Sequence, residues 1–168
     1  SPAAYKLKCA AIYIYEGFGS AASLINGLKD LNNPAGGAGC SGSCSPTLLV
    51  MNNFKFSNGD NSDPDNRARN LATANEALST CTASQSKGYI QVSTLFKLGT
   101  LASNTAYVTT GGVEPTTAEL ETAVLAMDDV EVGELATSTY NSTCLNNSKP
   151  SESTVKFCDQ LSTAIGDN

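Results

Sequence analysis

The sequence predicts an α+β fold: an antiparallel sheet with helices on one face, cross-linked by disulfides. Three observations carry that expectation. Apolar residues alternate along Tyr5–Tyr15, several later stretches are rich in β-branched and aromatic residues, and between them lie segments with apolar residues at helical spacing. From Thr47 to Leu135 the order reads strand, helix, strand, strand, helix, strand, which is that of a split βαβ, ferredoxin-like core over 47–135. An all-β sandwich is the alternative, should the weaker helices over 20–31 and 66–81 be loops.

The elements follow in order. Tyr5, Leu7, Cys9, Ala11, Tyr13 and Tyr15 fall on one face of a first strand, with Lys6 and Lys8 opening the other. After Gly17 and Gly19, the spacing of Ala21, Leu24, Ile25, Leu28 and Leu31 predicts a helix of about three turns. A segment of Gly, Ala and Ser over Asn32–Pro46 would be a flexible linker were it not for Cys40 and Cys44. Thr47–Phe56 reads as the second strand and ends in a turn at Asn58-Gly59-Asp60.

Asp65 is then placed to cap a helix whose stripe is Ala68, Leu71, Ala74, Leu78 and Cys81. Tyr89–Leu98 and Ala106–Thr110 read as strands joined by a turn around Ser103 and Asn104. Thr116 and Glu119 form a capping box beside Pro115 and open a helix through Leu120, Ala123, Val124 and Met127. Val130 and Val132 suggest a last short strand, and Ser151 caps a terminal helix with Val155, Cys158, Leu161 and Ile165 on its inner face.

At 168 residues the chain fits one domain, 1–168. Its six cysteines, Cys9, Cys40, Cys44, Cys81, Cys144 and Cys158, are an even set in a small acidic chain, the pattern of a disulfide framework made in an oxidising compartment. Of the fifteen pairings that six cysteines allow, the spacing favours Cys144 with Cys158, and Cys9 or Cys81 with the Cys40/Cys44 pair. A secreted, extracellular protein is the resulting expectation. The opening Ser-Pro-Ala-Ala has the character of a chain whose leader has been removed. The sequons at Asn141 and Asn146 suggest a glycoprotein and put the segment 138–150 in a surface loop.

Charge and composition narrow the function. The net charge is −6, and from Leu101 onward Lys149 and Lys156 face ten carboxylates, a net of −8. No basic face is visible, so nucleic acid is not an expected partner. A weakly basic front and an acidic back suit association with identical copies or with another extracellular protein. No apolar run is long enough to span a membrane.

Histidine is absent, which removes the commonest general base and metal ligand together. A serine nucleophile has no Gly-x-Ser-x-Gly elbow and no histidine partner. Cys40-x-x-x-Cys44 matches neither a redox motif nor a zinc knuckle. A carboxylate pair drawn from Glu16, Asp60, Glu114, Asp128, Asp129, Glu131 and Glu134 would allow glycoside hydrolysis, the weakest of the functions considered.

The loop carrying Asp60, Asp63 and Asp65 gathers oxygens suited to calcium, though without the glycine and closing glutamate of an EF-hand, and the same residues serve equally as turn and cap. Tyr5, Tyr13 and Tyr15 form an aromatic stripe that is either core or interface. Together these observations lead to a non-enzymatic structural or adhesive glycoprotein, a self-assembling protomer of a coat or filament. The second expectation is a secreted binding module for a small ligand or protein partner.

Overall fold

The computed structural model describes residues 1–18 and 54–125, together with positions 133, 137, 140, 141, 144, 155, 158, 159 and 162. Four helices are laid out in chain order: α1 (Pro2–Tyr15), α2 (Pro64–Ala83), α3 (Lys87–Thr109) and α4 (Thr117–Leu125). Among the described residues 74% are helical and none is in a strand, so neither the antiparallel sheet nor the β-sandwich forms. The expected ferredoxin-like order over 47–135 is replaced there by helices packed α1 on α2, α2 on α3 and α3 on α4.

The first correction is at the first element. Pro2 occupies the first helical turn, where its missing N–H is harmless, and alanines at positions 3, 4, 10 and 11 favour helix. Cys9 and Tyr13, one turn apart, are buried, whereas Leu7 and Tyr15, which alternation placed on the same face, are exposed. The helix ends in a Schellman turn. Gly17, at φ +89°, donates to the Ile14 carbonyl and Phe18 donates to the Tyr13 carbonyl at 2.8 Å. That reversal returns Phe18 to the core, where its ring meets Phe96 edge-on at 4.6 Å.

Helix α2 is capped by Asp63, not by Asp65: the Asp63 Oδ1 accepts from the Asp65 amide at 2.9 Å, and Pro64 begins the helix. Its buried stripe is Asn70, Ala74, Ala77 and Cys81, and Ala68 lies outside it, exposed. The tight corner to α3 is built by Ser84, whose hydroxyl donates to the Cys81 carbonyl and accepts from the Ser86 amide.

The two strands expected over Tyr89–Leu98 and Ala106–Thr110 are a single 23-residue helix, α3, continuous through Ser103 and Asn104. Its hydroxyl-rich sequence is accommodated by bonds back to the previous turn: Ser93 and Thr94 both donate to the Ile90 carbonyl, and Thr109 donates to that of Thr105. Small residues are buried on both helices, among them Ala74 and Ala77 on α2 and Gly99 and Ala102 on α3.

The capping box at α4 forms as its spacing implies. The Thr116 amide and hydroxyl both donate to Glu119 Oε2, at 2.7 and 2.8 Å, and Leu120 and Ala123 bury against Ala102 and Ala106.

The main core is aromatic. Tyr13, Phe18, Phe54, Phe56 and Phe96 interlock with ring centroids 4.6–5.9 Å apart. Phe54 and Phe56 belong to a non-helical segment with no ladder partner; the Phe56 amide donates instead to the Thr100 hydroxyl of α3 at 2.9 Å. Each such ring contributes roughly 1.5–3 kcal/mol by leaving water.

Cys9 is bonded to Cys81, tying α1 to the last turn of α2 across a sequence separation of 72. The expected link from either residue to Cys40 or Cys44 therefore does not form. A second bridge joins Cys144 to Cys158. Tyr140 and Asn141, expected in a surface loop, are helical, and the Cys144 amide donates to the Tyr140 carbonyl at 2.8 Å. Val155, Cys158, Asp159 and Ser162 are also helical, with Val155 exposed rather than on an inner face. The elements expected over 21–31, 32–46 and 130–132, most of the strand over 47–56, and Ser151 lie outside the described residues.

Candidate functional site

Two features stand out on the surface: the polar loop that leads into α2, and the outward face of α1. The loop is organised by Asn70, which is 1% exposed. Its Oδ1 accepts from the Asn58 amide, and its Nδ2 donates to the Asn58 carbonyl and to Asn61 Oδ1. Gly59, at φ +77°, lies where a Cβ would come within 2.7 Å of the Asn66 side chain. Asn66 in turn donates to the Asp60 carbonyl.

Of the three carboxylates expected to bind calcium, two accept backbone hydrogen bonds within the loop. Asp60 Oδ1 accepts from the Ser62 amide at 2.9 Å, and that bond, with the Ser62 hydroxyl, holds the Asp60 carboxyl below its ordinary pKa. Asp63 caps α2, and Asp65 is exposed in its first turn. The Arg67 guanidinium donates to the carbonyls of Asn61 and Ser62, both at 2.8 Å. Among the described residues no three carboxylates or thiols converge on a point.

Beside the loop is a shallow cleft of about 220 Å³ lined by Tyr15, Glu16, Asn58, Arg69, Asn70 and Thr73. Its charged groups are turned to the protein itself: Glu16 accepts from the Asn58 side chain, and Arg69 donates to that of Asn66. A second polar group lies where the loop meets the end of α3. Burial lowers the Lys55 pKa while Glu114 opposes the shift. Burial, Glu114 and Asp60 raise that of Tyr107, against Arg67.

The tyrosine stripe is divided by the helix. Tyr13 is buried among the core rings, Tyr5 is 44% exposed and Tyr15 89% exposed. The unexpected surface is instead the outward face of α1, which carries Leu7 at 75% and Ile14 at 65% exposure, with Ala4 and Ala11 exposed between them. At about 100° per residue these four residues point directly away from Cys9 and Tyr13. The helix is apolar on two opposite sides, and only one faces the core. The spacing 4, 7, 11, 14 was readable from sequence, but only once the segment is taken as helix rather than strand.

Of the sequon residues, Asn141 is exposed and Asn146 lies outside the described residues, as do Cys40 and Cys44. Among the described residues no helix is long and apolar enough to cross a membrane. No protein-family model, no curated protein and no solved structure matches the chain.

Proposed function

We propose that this chain is a non-enzymatic structural or adhesive protein of the extracellular space, a self-assembling protomer that works through its surface. The observation that carries the proposal is the outward face of α1, where Leu7, Ile14 and Tyr15 stand exposed on one helix. A helix apolar on both sides gains stability only when both sides are covered. Exposed apolar patches of this kind serve protein contacts. A buried disulfide at the back of the same helix, Cys9–Cys81, holds that face rigid, which lowers the entropy lost on association.

An extracellular setting is supported by the disulfides and by the exposed sequon residue Asn141. A net charge of −6 favours a protein partner over nucleic acid. The cleft beside Tyr15 is small, with its carboxylate and guanidinium satisfied internally, which favours assembly over binding of a small ligand. Size measurement by sedimentation across protein concentration tests the proposal: mass should rise with concentration, and a strict monomer at every concentration overturns it.

A further inference from the structure

We infer that the outward face of α1 pairs with the same face of a second copy, antiparallel, about a two-fold axis. The inference deepens the assembly proposed above and rests on it. Within about 60° of the face's centre on either side lie Ala3, Ala4, Leu7, Ala11, Ile14 and Tyr15, with no charged residue among them, and all six are exposed. Lys8, at the edge of the face, is turned to Glu76 of α2 at 3.2 Å.

The alternation of large and small residues selects both partner and direction. Set antiparallel against itself with Leu7 opposite Ala11, the helix also places Ile14 opposite Ala4, while Tyr15 stands on one flank. Both aliphatic side chains near the centre of the face then meet an alanine, and each copy offers the other what it receives, as an isologous interface requires. In a parallel pair Leu7 would meet Leu7 and Ala11 would meet Ala11, crowding one layer and leaving a void in the next.

Charge complementarity agrees. Antiparallel pairing sets the C-terminal, negative end of the α1 dipole beside the positive N-terminal end of its partner; parallel pairing brings like ends together. A helix of 14 residues with three large side chains buries less than the roughly 1,600 Å² of a standard interface, so the pairing is reversible and concentration-dependent.

The test is sedimentation of the whole chain, disulfides intact, over micromolar to millimolar concentration, with circular dichroism confirming unchanged helix content. Leu7→Asp should abolish the dimer. Ala11→Leu should weaken it by about tenfold or more, because the new side chain meets the partner's Leu7. The double variant Leu7→Ala with Ala11→Leu should restore it, since large again faces small.

Three results overturn the pairing: a dimer strengthened by Ala11→Leu, which marks parallel packing; a dimer indifferent to all three variants, which leaves assembly standing but through another surface; and a wild-type monomer at every concentration, which overturns the assembly with it. In such a monomer, a loss of stability on Leu7→Asp would mark the face as covered by the chain's own residues.

Discussion

Cys9 and Cys81 are joined in a bridge that is wholly buried, with both residues at 0% exposure and their Cα atoms 5.1 Å apart. It links the middle of α1 to the last turn of α2 and sits against Ala77, Phe96 and Tyr13 in the main core. A closed loop of 72 residues restricts the unfolded chain strongly, by about 4 kcal/mol in the chain-entropy account. Replacing both cysteines by alanine should lower unfolding stability by about that amount in denaturant titrations. The native bridge should also resist mild reductant until the protein unfolds, so its reduction rate should follow the unfolding rate in a thiol-release assay.

Tyr13 packs edge-on against Phe96 at 5.0 Å, but its phenolic oxygen is buried without a hydrogen-bond partner among the described residues, and burial raises its pKa far above the ordinary tyrosine value. An unmade hydrogen bond of this kind costs about 1–3 kcal/mol. Tyr13→Phe keeps the ring and removes the orphaned hydroxyl, so it should leave stability unchanged or raise it by about 1 kcal/mol. Tyr13→Ala, which opens a cavity among the rings, should cost about 3–5 kcal/mol. Thermal or urea unfolding of the two variants checks this: a loss of stability in Tyr13→Phe would mean that the hydroxyl contributes.

Asn70 holds the loop from Asn58 to Asn61 by three hydrogen bonds from a buried position on α2. Asn70→Ala should destabilise by about 2–3 kcal/mol, the cost of leaving buried polar groups unpaired. Asn70→Asp retains the acceptor for the Asn58 amide but sets a buried carboxylate against the Asn58 carbonyl and Asn61 Oδ1, so it should destabilise at least as much as alanine. Hydrogen exchange at the Asn58 amide reports the loop directly: faster exchange in both variants is expected, and unchanged protection would mean the loop is held by other contacts.

The capping box gives α4 a pH dependence. Its two hydrogen bonds from Thr116 hold the Glu119 carboxyl below the usual glutamate pKa. A carboxyl with a depressed folded pKa stabilises fully above its unfolded value, about 4.3, and that stabilisation is lost as pH falls through the folded value. Amide protection in α4 should therefore decline from about pH 4 downward. Glu119→Ala should already show the low-pH behaviour at neutral pH, and identical acid profiles for variant and wild type would remove Glu119 as the cause.

What could be read from the chain beforehand was mostly local. The capping box at Thr116 and Glu119, the turn at Asn58-Gly59-Asp60 and a helix ending near Cys81 depend on residues within one or two turns of each other, and the structure has all three. The strands at Tyr5–Tyr15 and Tyr89–Thr110 were inferred from alternation and β-branching, which are statements about fit to a half-buried surface rather than about the backbone itself. Here the surfaces available were helical. Thr94 and Ser93 satisfy their hydroxyls on the Ile90 carbonyl, and Tyr13 finds Phe56 and Phe96 one helical turn from Cys9. Nothing in the order of the loop's residues says that the Arg67 guanidinium turns back to the Asn61 and Ser62 carbonyls.

By itself the sequence determined local corners: a turn at Gly59, a capped helix start in the loop after it, though at Asp63 and not the expected Asp65, and Thr116 with Glu119 three residues on. These act over a few bonds, so residue type is enough. Only the tertiary structure decided that alternation along α1 is helical, that Cys9 meets Cys81, and that Leu7 and Ile14 face outward. Those outcomes depend on which distant surfaces come together. A segment with apolar residues on every side can bury either face, and the choice belongs to the aromatic cluster around Phe96 that it packs against.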